Sequence, residues 1–547
     1  MLSVKKTIVL GIVLWIGLGL TVQAASGPGL PGSDRRDDVA YAQALYRSLL
    51  GREPSLSELA ATVRDLQAAP YRVVVHNRLL DSSEFKQRVD DATFLVGLYD
   101  QLRQREPLIH EMVIGLYYLK EGVPRSTIFG SLVQPQLPVK AVTPELAQRY
   151  DSLLLDFKPQ TLGRYRQTAQ RYTALDPKTQ RARLLEEAIQ LDGAEPGLPA
   201  PEFHEASPEP DPEFNVYYGY LHAHSSLSLD ALLLGSPGPF AAYDYARNVA
   251  GLDFLGLSDH AEFISLWPWF DAWKVLQAAA DAYNKDGTFV ALRGFEYTNP
   301  IYGHLNVFDT PDFVATWSAL TLRQFYTWLS RYPDAVATFN HPGDYDFLHL
   351  EFKHFTYFSA VGHQVMGIEL LTHGANYGQY SVGYNPDDGL GYLDEANHAG
   401  WHIASVSAQD NHSGGWGTID DYRTAVLAPA LTRADILEAL QHRRFYSTQD
   451  KNLVMSFRTD GHEMGSFVGP GEKTFTVTLS DGNGEGFAAI DFYANGHLSE
   501  SRAVSSSGSW DFAVTARADD YYYALVTQAD GDQAMSAPIW VQGMSDQ

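Results

Sequence analysis

"GYLHAHSSLSLDA", Gly219 to Ala231, is the stretch on which the reading of this chain turns. In an extended strand, residues i and i+2 share a face. His222 and His224 would then present two imidazoles side by side, a spacing suited to holding one metal ion. An isolated His-x-His is more often a pair of surface histidines near a strand end. The motif gains meaning only if further ligands follow in order, where a fold can bring them together.

Such ligands do follow. "LDFLGLSDH", "TFVALRGFEYT", "AVATFNHPG", "VMGIELLTH" and "HIASVSAQDNH" read as strands, and helical patterns such as "FAAYDYARNVAG", "DAWKVLQAAADAYN" and "LTLRQFYTWLSR" come between them. Repeated βα units imply a parallel sheet or barrel, and side chains at the C-terminal ends of barrel strands converge on one face. Almost every one of these strands ends in His, Asp or Glu, and twelve of the eighteen histidines lie between His222 and His412. The candidates, in order, are His222, His224, Asp230, His260, Glu296, His304, His341, Asp410 and His412. In "SDH" only one of Asp259 and His260 can face the site in extended geometry; His260 is taken as the ligand and Asp259 as a supporting group. Nine ligands exceed what one ion uses and suit two or three ions sharing a carboxylate. For the His304 position, His349, His354, His363 and His373 are alternatives nearby, and Glu369 in "GIELL" ends a strand without a ligand role.

At 547 residues, 45% hydrophobic and 19% charged, the chain has room for roughly three to four globular domains. Lys5 and Lys6, the apolar run Ile8 to Leu20 and "VQA" before Ala25 have the layout of a cleavable export leader. The run is shorter than the ~20 apolar residues that span a bilayer. The expectation is therefore an exported protein, periplasmic or extracellular, with no stable membrane insertion after cleavage. Cysteine is absent, which excludes disulfides, thiolate ligands and a thiol nucleophile. The formal charge is −26, and loss of Lys5 and Lys6 makes it −28, which disfavours nucleic acid as a partner. Residues 38–190 read as a helical region in which "ALYRSLLGREPSLSELA" returns as "GLYDQLRQREPLIHEMV". A linker rich in proline and acids follows over 191–213, and after 450 short alternating strands with Gly, Ser and Asp turns suggest a small sandwich.

The order HxH, SDH, internal Glu, HP and DxH resembles the PHP (polymerase and histidinol phosphatase) superfamily of metal-dependent hydrolases. Its secreted CehA/McbA-like branch is the nearer likeness, through "GYLHAHSSLSLDA", "DFLGLSDHAE" and the terminal "SAPIWV". The first helical unit, with "LYRSLLGREPS", resembles a domain of unknown function found in secreted bacterial surface proteins. The resemblance implies an α/β fold: a distorted (βα)7 barrel over 214–450, behind a leader at 1–24 and the all-α region, followed by a β-sandwich module over 451–547. It implies that His222, His224, Glu296 and Asp410 hold one ion, that Glu296 bridges to a second with His304 and His341, and that Asp230, His260 and His412 hold a third. Glu296, Asp410 and His341 are the residues expected to act in catalysis. The implied cofactors are two or three divalent ions (Zn, Mn or Fe), generating a bridging hydroxide that attacks the substrate. The implied substrate is a small anionic phosphate ester. Hydrolysis of a carboxyl ester, amide or carbamate on the same centre is the alternative. In a different class stands a surface-binding protein with a metal-stabilised scaffold, the helical region touching the cell surface. Arg293, Arg423, Arg443 and Arg444 are candidates to orient an anion, and Trp267 to Phe270 ("WPWF") to line the mouth.

Overall fold

The computed structural model describes residues 35–69, 72–133, 153–192, 210–265, 271–372 and 377–543. The leader, most of the linker, Trp267 to Phe270 and His373 lie outside these. The chain divides into two compact units, and the division falls inside the helix Pro177–Asp192.

The first unit is helical, and its internal repeat has a local physical cause. Arg52 forks onto Glu58 at 2.6 and 2.9 Å and also donates to the Glu53 carbonyl, while the Ser55 N–H donates to Glu58 at 2.7 Å. Arg105 forks onto Glu111 at 2.7 Å twice and donates to the Glu106 carbonyl, while the Leu108 N–H donates to Glu111 at 2.7 Å. The two guanidiniums stand over Tyr46 and Tyr99. The repeated Tyr, Arg and Glu therefore build the same helix start twice: a carboxylate three residues into the helix caps its first N–H, and an arginine pins that carboxylate.

The second unit is built on a curled sheet with helices. Its strands are β1 (Asn215–Tyr220), β2 (Phe254–Leu257), β3 (Val290–Asn299), β4 (Gly303–Phe308), β5 (Val336–Phe339), β6 (Val365–Leu371), β7 (Ala404–Ser407), β8 (Arg423–Ala428) and β9 (Phe445–Thr448). They lie in the order β9-β8-β1-β2-β3-β4-β5-β6-β7. β1, β2 and β3 are mutually parallel, as are β5, β6 and β7. Strict repetition of βα units is broken at β4, which runs antiparallel to both β3 and β5. The reason is covalent: only residues 300–302 join β3 to β4, too few for a crossover and enough for a hairpin. Elsewhere helices make the crossings. In Ala272–Tyr283 the buried residues Ala272, Trp273, Leu276, Ala279 and Ala280 form one stripe, and Asp271 caps its start.

The sheet curls until its two sides meet. The Thr424 hydroxyl donates to the Ser407 carbonyl and accepts the Ser407 N–H, both at 2.9 Å, tying β8 to β7. Beyond the strand ends, Ala223 and Asn411 form a parallel bridge, with the His224 N–H on the Asn411 carbonyl at 3.0 Å. This closure sits beside the His-x-His and Asp-x-His motifs. Gly219, two residues before Leu221, is required here: a Cβ on it would lie 2.1 Å from the Phe254 carbonyl oxygen of β2.

The C-terminal strands continue this sheet. Gln533–Ser536 pairs antiparallel with β9, Ala534 opposite Thr448, so main-chain hydrogen bonds cross the expected boundary near residue 450. Strands Leu453–Thr459, Gly471–Asp481 and Gly508–Ala516, with the short His462–Glu463, form a second sheet, whose Phe457, Phe475 and Phe512 pack on Phe492 and Tyr522 of the first. The apolar core runs without interruption from Phe254, Met366 and Val406 to these rings.

Candidate metal centre

All nine residues singled out in the sequence meet at the end of the sheet where β1, β2, β3, β5 and β7 finish. Glu296, near the end of β3, is 1% exposed and lies at the middle. Its Oε1 is 3.4 Å from His222 Nε2, 3.2 Å from His304 Nδ1 and 3.5 Å from His341 Nε2. Its Oε2 is 2.6 Å from His260 Nδ1 and 3.9 Å from His224 Nε2. The hairpin that makes β4 antiparallel brings His304 back opposite Thr298, at the same end as the strand tips. His349, His354 and His363 are engaged elsewhere: His349 with Asp346, His354 stacked on Tyr384, His363 on the Pro333 carbonyl.

Asp410 Oδ1 lies 2.9 Å from His224 Nε2 and 3.1 Å from His222 Nε2. Asp230 Oδ2 lies 2.9 Å from His260 Nε2 and 3.3 Å from His412 Nε2. His341 (φ 29°) and Asp410 (φ 45°) both have left-handed backbones, an uncommon conformation for non-glycine residues that the surrounding contacts must hold. Among the described residues three groups of side chains come close enough to hold a metal ion: His222, His224 and Glu296; Glu296, His304 and His341; His224, His260 and His412. Glu296 belongs to two of them and His224 to two.

Electrostatics fit such ions. Burial opposes ionisation of Glu296, yet His222, His260 and His304 hold its carboxyl well below the usual range. Asp410 is likewise held low against burial by His222 and His224, and Asp230 by His260 and His412. His224 is pushed down to about 3 by burial and by the neighbouring His412 and His260. His304 falls to about 4, burial outweighing Glu296. His224 and His304 are thus poised neutral, the form that binds a metal. The facing carboxylates instead raise His222, His260, His341 (to about 9) and His412 against burial, so a bound ion would displace their protons. The Nε2 of His304 and the Nδ1 of His341 are buried without a hydrogen-bond partner. A mixed nitrogen and carboxylate-oxygen donor set suits divalent metal ions.

A supporting layer surrounds these side chains, and most of it escaped the sequence reading. The Asp259 carboxylate, expected as support, accepts the Ser225 and Ser228 N–H groups and the Ser225 hydroxyl. The Asn340 amide donates to Glu296 Oε1 at 2.9 Å. The Thr298 hydroxyl lies 2.7 Å from His260 Nδ1, Ser228 Oγ 3.2 Å from His224 Nδ1, and the Trp416 indole donates to the His224 carbonyl. Glu369, 1% exposed, lies 2.8 Å from His222 Nδ1 and accepts the His341 N–H at 3.0 Å. Thr298 stands two residues after Glu296 and Asn340 one before His341, which was the available signal; the contacts of Glu369 depend on strand neighbours.

The four arginines are engaged away from this cluster. Arg423 donates to the Asp420, Tyr422 and Gly417 carbonyls. Arg443 donates to the His402, Gln441, Gly362, His363 and Val365 carbonyls. Arg444 pairs with Glu438, and Arg293 lies 3.8 Å from Asp281 and from Asp309. They serve the scaffold.

No family model matches the chain. In sequence it is similar to an uncharacterized protein of Chlamydia pneumoniae, 23% identical over 337 residues, covering 54% of this chain and 53% of that one. The chain thus spans about half the length of that relative. Among solved structures it is similar to a two-domain protein from Bacteroides vulgatus described as containing a predicted PHP-like metal-dependent phosphoesterase. The identity there is 15%, the TM-score 0.34, with 62% of this chain and 100% of that chain covered. A second is PsfC of Pseudomonas syringae, at 16% identity and TM-score 0.27, covering 41% and 87%. The functional assignment therefore rests on this chain's own side chains.

Proposed function

We propose that this chain is a metal-dependent hydrolase acting on small phosphate esters. The observation that supports this reading is the meeting of seven His and Glu side chains in three overlapping groups that share Glu296 and His224, with Asp410 against His222 and His224 and Asp230 against His260 and His412. His222, His224, Glu296 and Asp410 would hold a first ion, Glu296, His304 and His341 a second, and Asp230, His260 and His412 a third. Divalent ions in such groups lower the pKa of bound water and polarise the attacked phosphoryl oxygen. The chain's own part is to hold the ligands still and keep the carboxylates ionised. Glu296 faces five imidazoles at once and so fixes the spacing of the subsites. Asp230 and Asp410, with side chains 42% and 36% exposed, mark where the cluster opens toward solvent and where an ester would enter. With Arg293, Arg423, Arg443 and Arg444 engaged elsewhere, the charge that meets an anionic ester comes from the ions.

The reading includes export, from the leader pattern around Lys5 and Ile8 to Leu20, and a cell-surface role for the helical repeat. The experiment is metal analysis of the purified chain, with hydrolysis assayed on phosphate monoesters, diesters and carboxyl esters before and after chelation. Chelator-sensitive release of phosphate is expected. Preference for carboxyl esters would move the assignment to ester or amide hydrolysis, and a metal-free, inactive chain would sink it. N-terminal mass analysis from the native host should find the chain beginning near Ala25.

A further inference from the structure

Glu369 sits near the end of β6, and none of the three candidate metal groups includes it. Its carboxylate is nevertheless buried among them and divided between two. Oε1 lies 2.8 Å from His222 Nδ1, and Oε2 accepts the main-chain N–H of His341 at 3.0 Å. The Asn306 amide donates to Oε1 at 3.4 Å and to the Leu221 carbonyl at 3.1 Å, holding the carboxylate against the segment that follows β1 and carries His222.

Each contact does something a ligand needs. An imidazole binds a metal through one nitrogen only if the other carries the proton, and the acceptor on that other nitrogen chooses the tautomer. Glu369 holds a proton on the Nδ1 side and so assigns His222 Nε2 to an ion; that nitrogen faces His224 Nε2 at 3.1 Å, Asp410 at 3.1 Å and Glu296 at 3.4 Å. The second contact acts through the backbone. His341 has φ 29°, a conformation that needs an external hold, and its N–H is the atom Glu369 accepts. That turn aims His341 Nε2 at Glu296. The remaining histidines take their orientation from other groups: His224 Nδ1 faces Ser228, His260 Nδ1 faces Glu296 and Thr298, His412 Nδ1 lies 2.9 Å from the Asp410 carbonyl, and His304 stacks on Tyr345.

We infer that Glu369 is a positioning residue that couples the first and second subsites, fixing the His222 tautomer with one oxygen and the His341 turn with the other, and leaving the third subsite alone. The inference rests on the metal-dependent reading above. Both contacts need an acceptor. Glu369→Gln keeps shape but retains one acceptor oxygen and gains an NH2, so it cannot serve His222 and His341 together. Glu369→Asp keeps the charge but, one methylene shorter, cannot reach both.

The test is a stepwise titration of the full-length, metal-free protein with Co(II), followed by visible absorption and calorimetry, on wild type, Glu369→Gln, Glu369→Asp and Asp230→Asn. In Glu369→Gln two binding steps should weaken by roughly 10–100-fold, as for other groups that orient metal ligands, while the third stays within about twofold of wild type. Glu369→Asp should weaken the same two steps by less, and Asp230→Asn only the third. Wild-type affinities at every step in both Glu369 variants, or equal weakening of all steps, would overturn the coupling and leave the metal reading standing. A wild-type chain that takes up no Co(II) overturns both. Should Glu369→Gln fail to fold, the Asp variant, which keeps the buried charge, decides alone.

Discussion

Glu296 Oε2 stands 2.6 Å from His260 Nδ1, while the other oxygen of the same carboxylate reaches the histidines of two further strands and of the β3–β4 hairpin. One buried carboxylate is thus shared by two of the three groups and touches His224 and His260 of the third. Glu296→Gln preserves shape and removes the charge that balances two ions. Bound metal should fall by at least one ion per chain, and turnover by ~10³-fold or more. The fold should survive, because the sheet core is apolar. Metal analysis alongside kcat checks this; full metal content with near-normal turnover would remove Glu296 from the bridge.

Asp230 is the most exposed member of the set, and its contacts are with His260 and His412. Asp230→Asn should cost one ion and leave the ions at His222 and His341 in place. Stoichiometry by elemental analysis distinguishes this from a general collapse of the centre, in which all metal would be lost together.

The side chains of the centre were legible in the sequence because strand ends are. His222 and His224, or Asp410 and His412, announce themselves by i, i+2 spacing at the ends of apolar runs, and the order of motifs supplies the rest. The topology was less legible. "GHLNVF" reads as the tail of a strand motif, and only the three-residue connection at 300–302 shows that β4 must turn back. The contacts of Glu369 were invisible for another reason: the one with His341 follows from β5 and β6 lying side by side, Thr338 opposite Gly367, and the one with His222 from the curl that brings the end of β1 across to β6, neither of which a local pattern encodes. The boundary near 450 was drawn from a change of texture, while the Gln533–Ser536 strand returns from the far end of the chain to pair with β9.

Arg443 was a candidate for holding an anionic substrate, and the structure gives it five carbonyl partners and 3% exposure. Burial pushes the guanidinium down to about 10, Tyr357 only partly offsetting it, so it remains charged at neutral pH. Arg443→Met should strand several buried acceptors and cost roughly 3 kcal/mol or more of stability. The folded fraction should keep its metal and its KM. Denaturant melts and steady-state kinetics separate the two roles: an unchanged melt with a raised KM would return Arg443 to the substrate.

Asp394 ties the helix Tyr392–His398 to the C-terminal strand Tyr521–Gln528, its two oxygens accepting the hydroxyls of Tyr521 at 2.9 Å and Tyr523 at 3.2 Å. Burial raises its carboxyl to about 6, the two tyrosine hydrogen bonds and the nearby His398 and His497 only partly offsetting it. An acid whose folded pKa lies above its unfolded value binds more protons folded than unfolded in the interval between. The stability it contributes is therefore fully present below about pH 4 and is lost as pH rises through about 6. A shift of this size corresponds to about 3 kcal/mol. Asp394→Asn cannot ionise, so it should be destabilising at pH 4, where the protonated acid already donates and accepts, and progressively less so toward pH 7.5. Urea melts of chelated protein at half-unit pH steps should show the difference between wild type and variant changing by roughly 2–3 kcal/mol, with its midpoint near pH 5. A difference that stays constant from pH 4 to 7.5 would mean that Asp394 is already ionised in the fold at low pH, and that the two tyrosines hold a carboxylate there throughout.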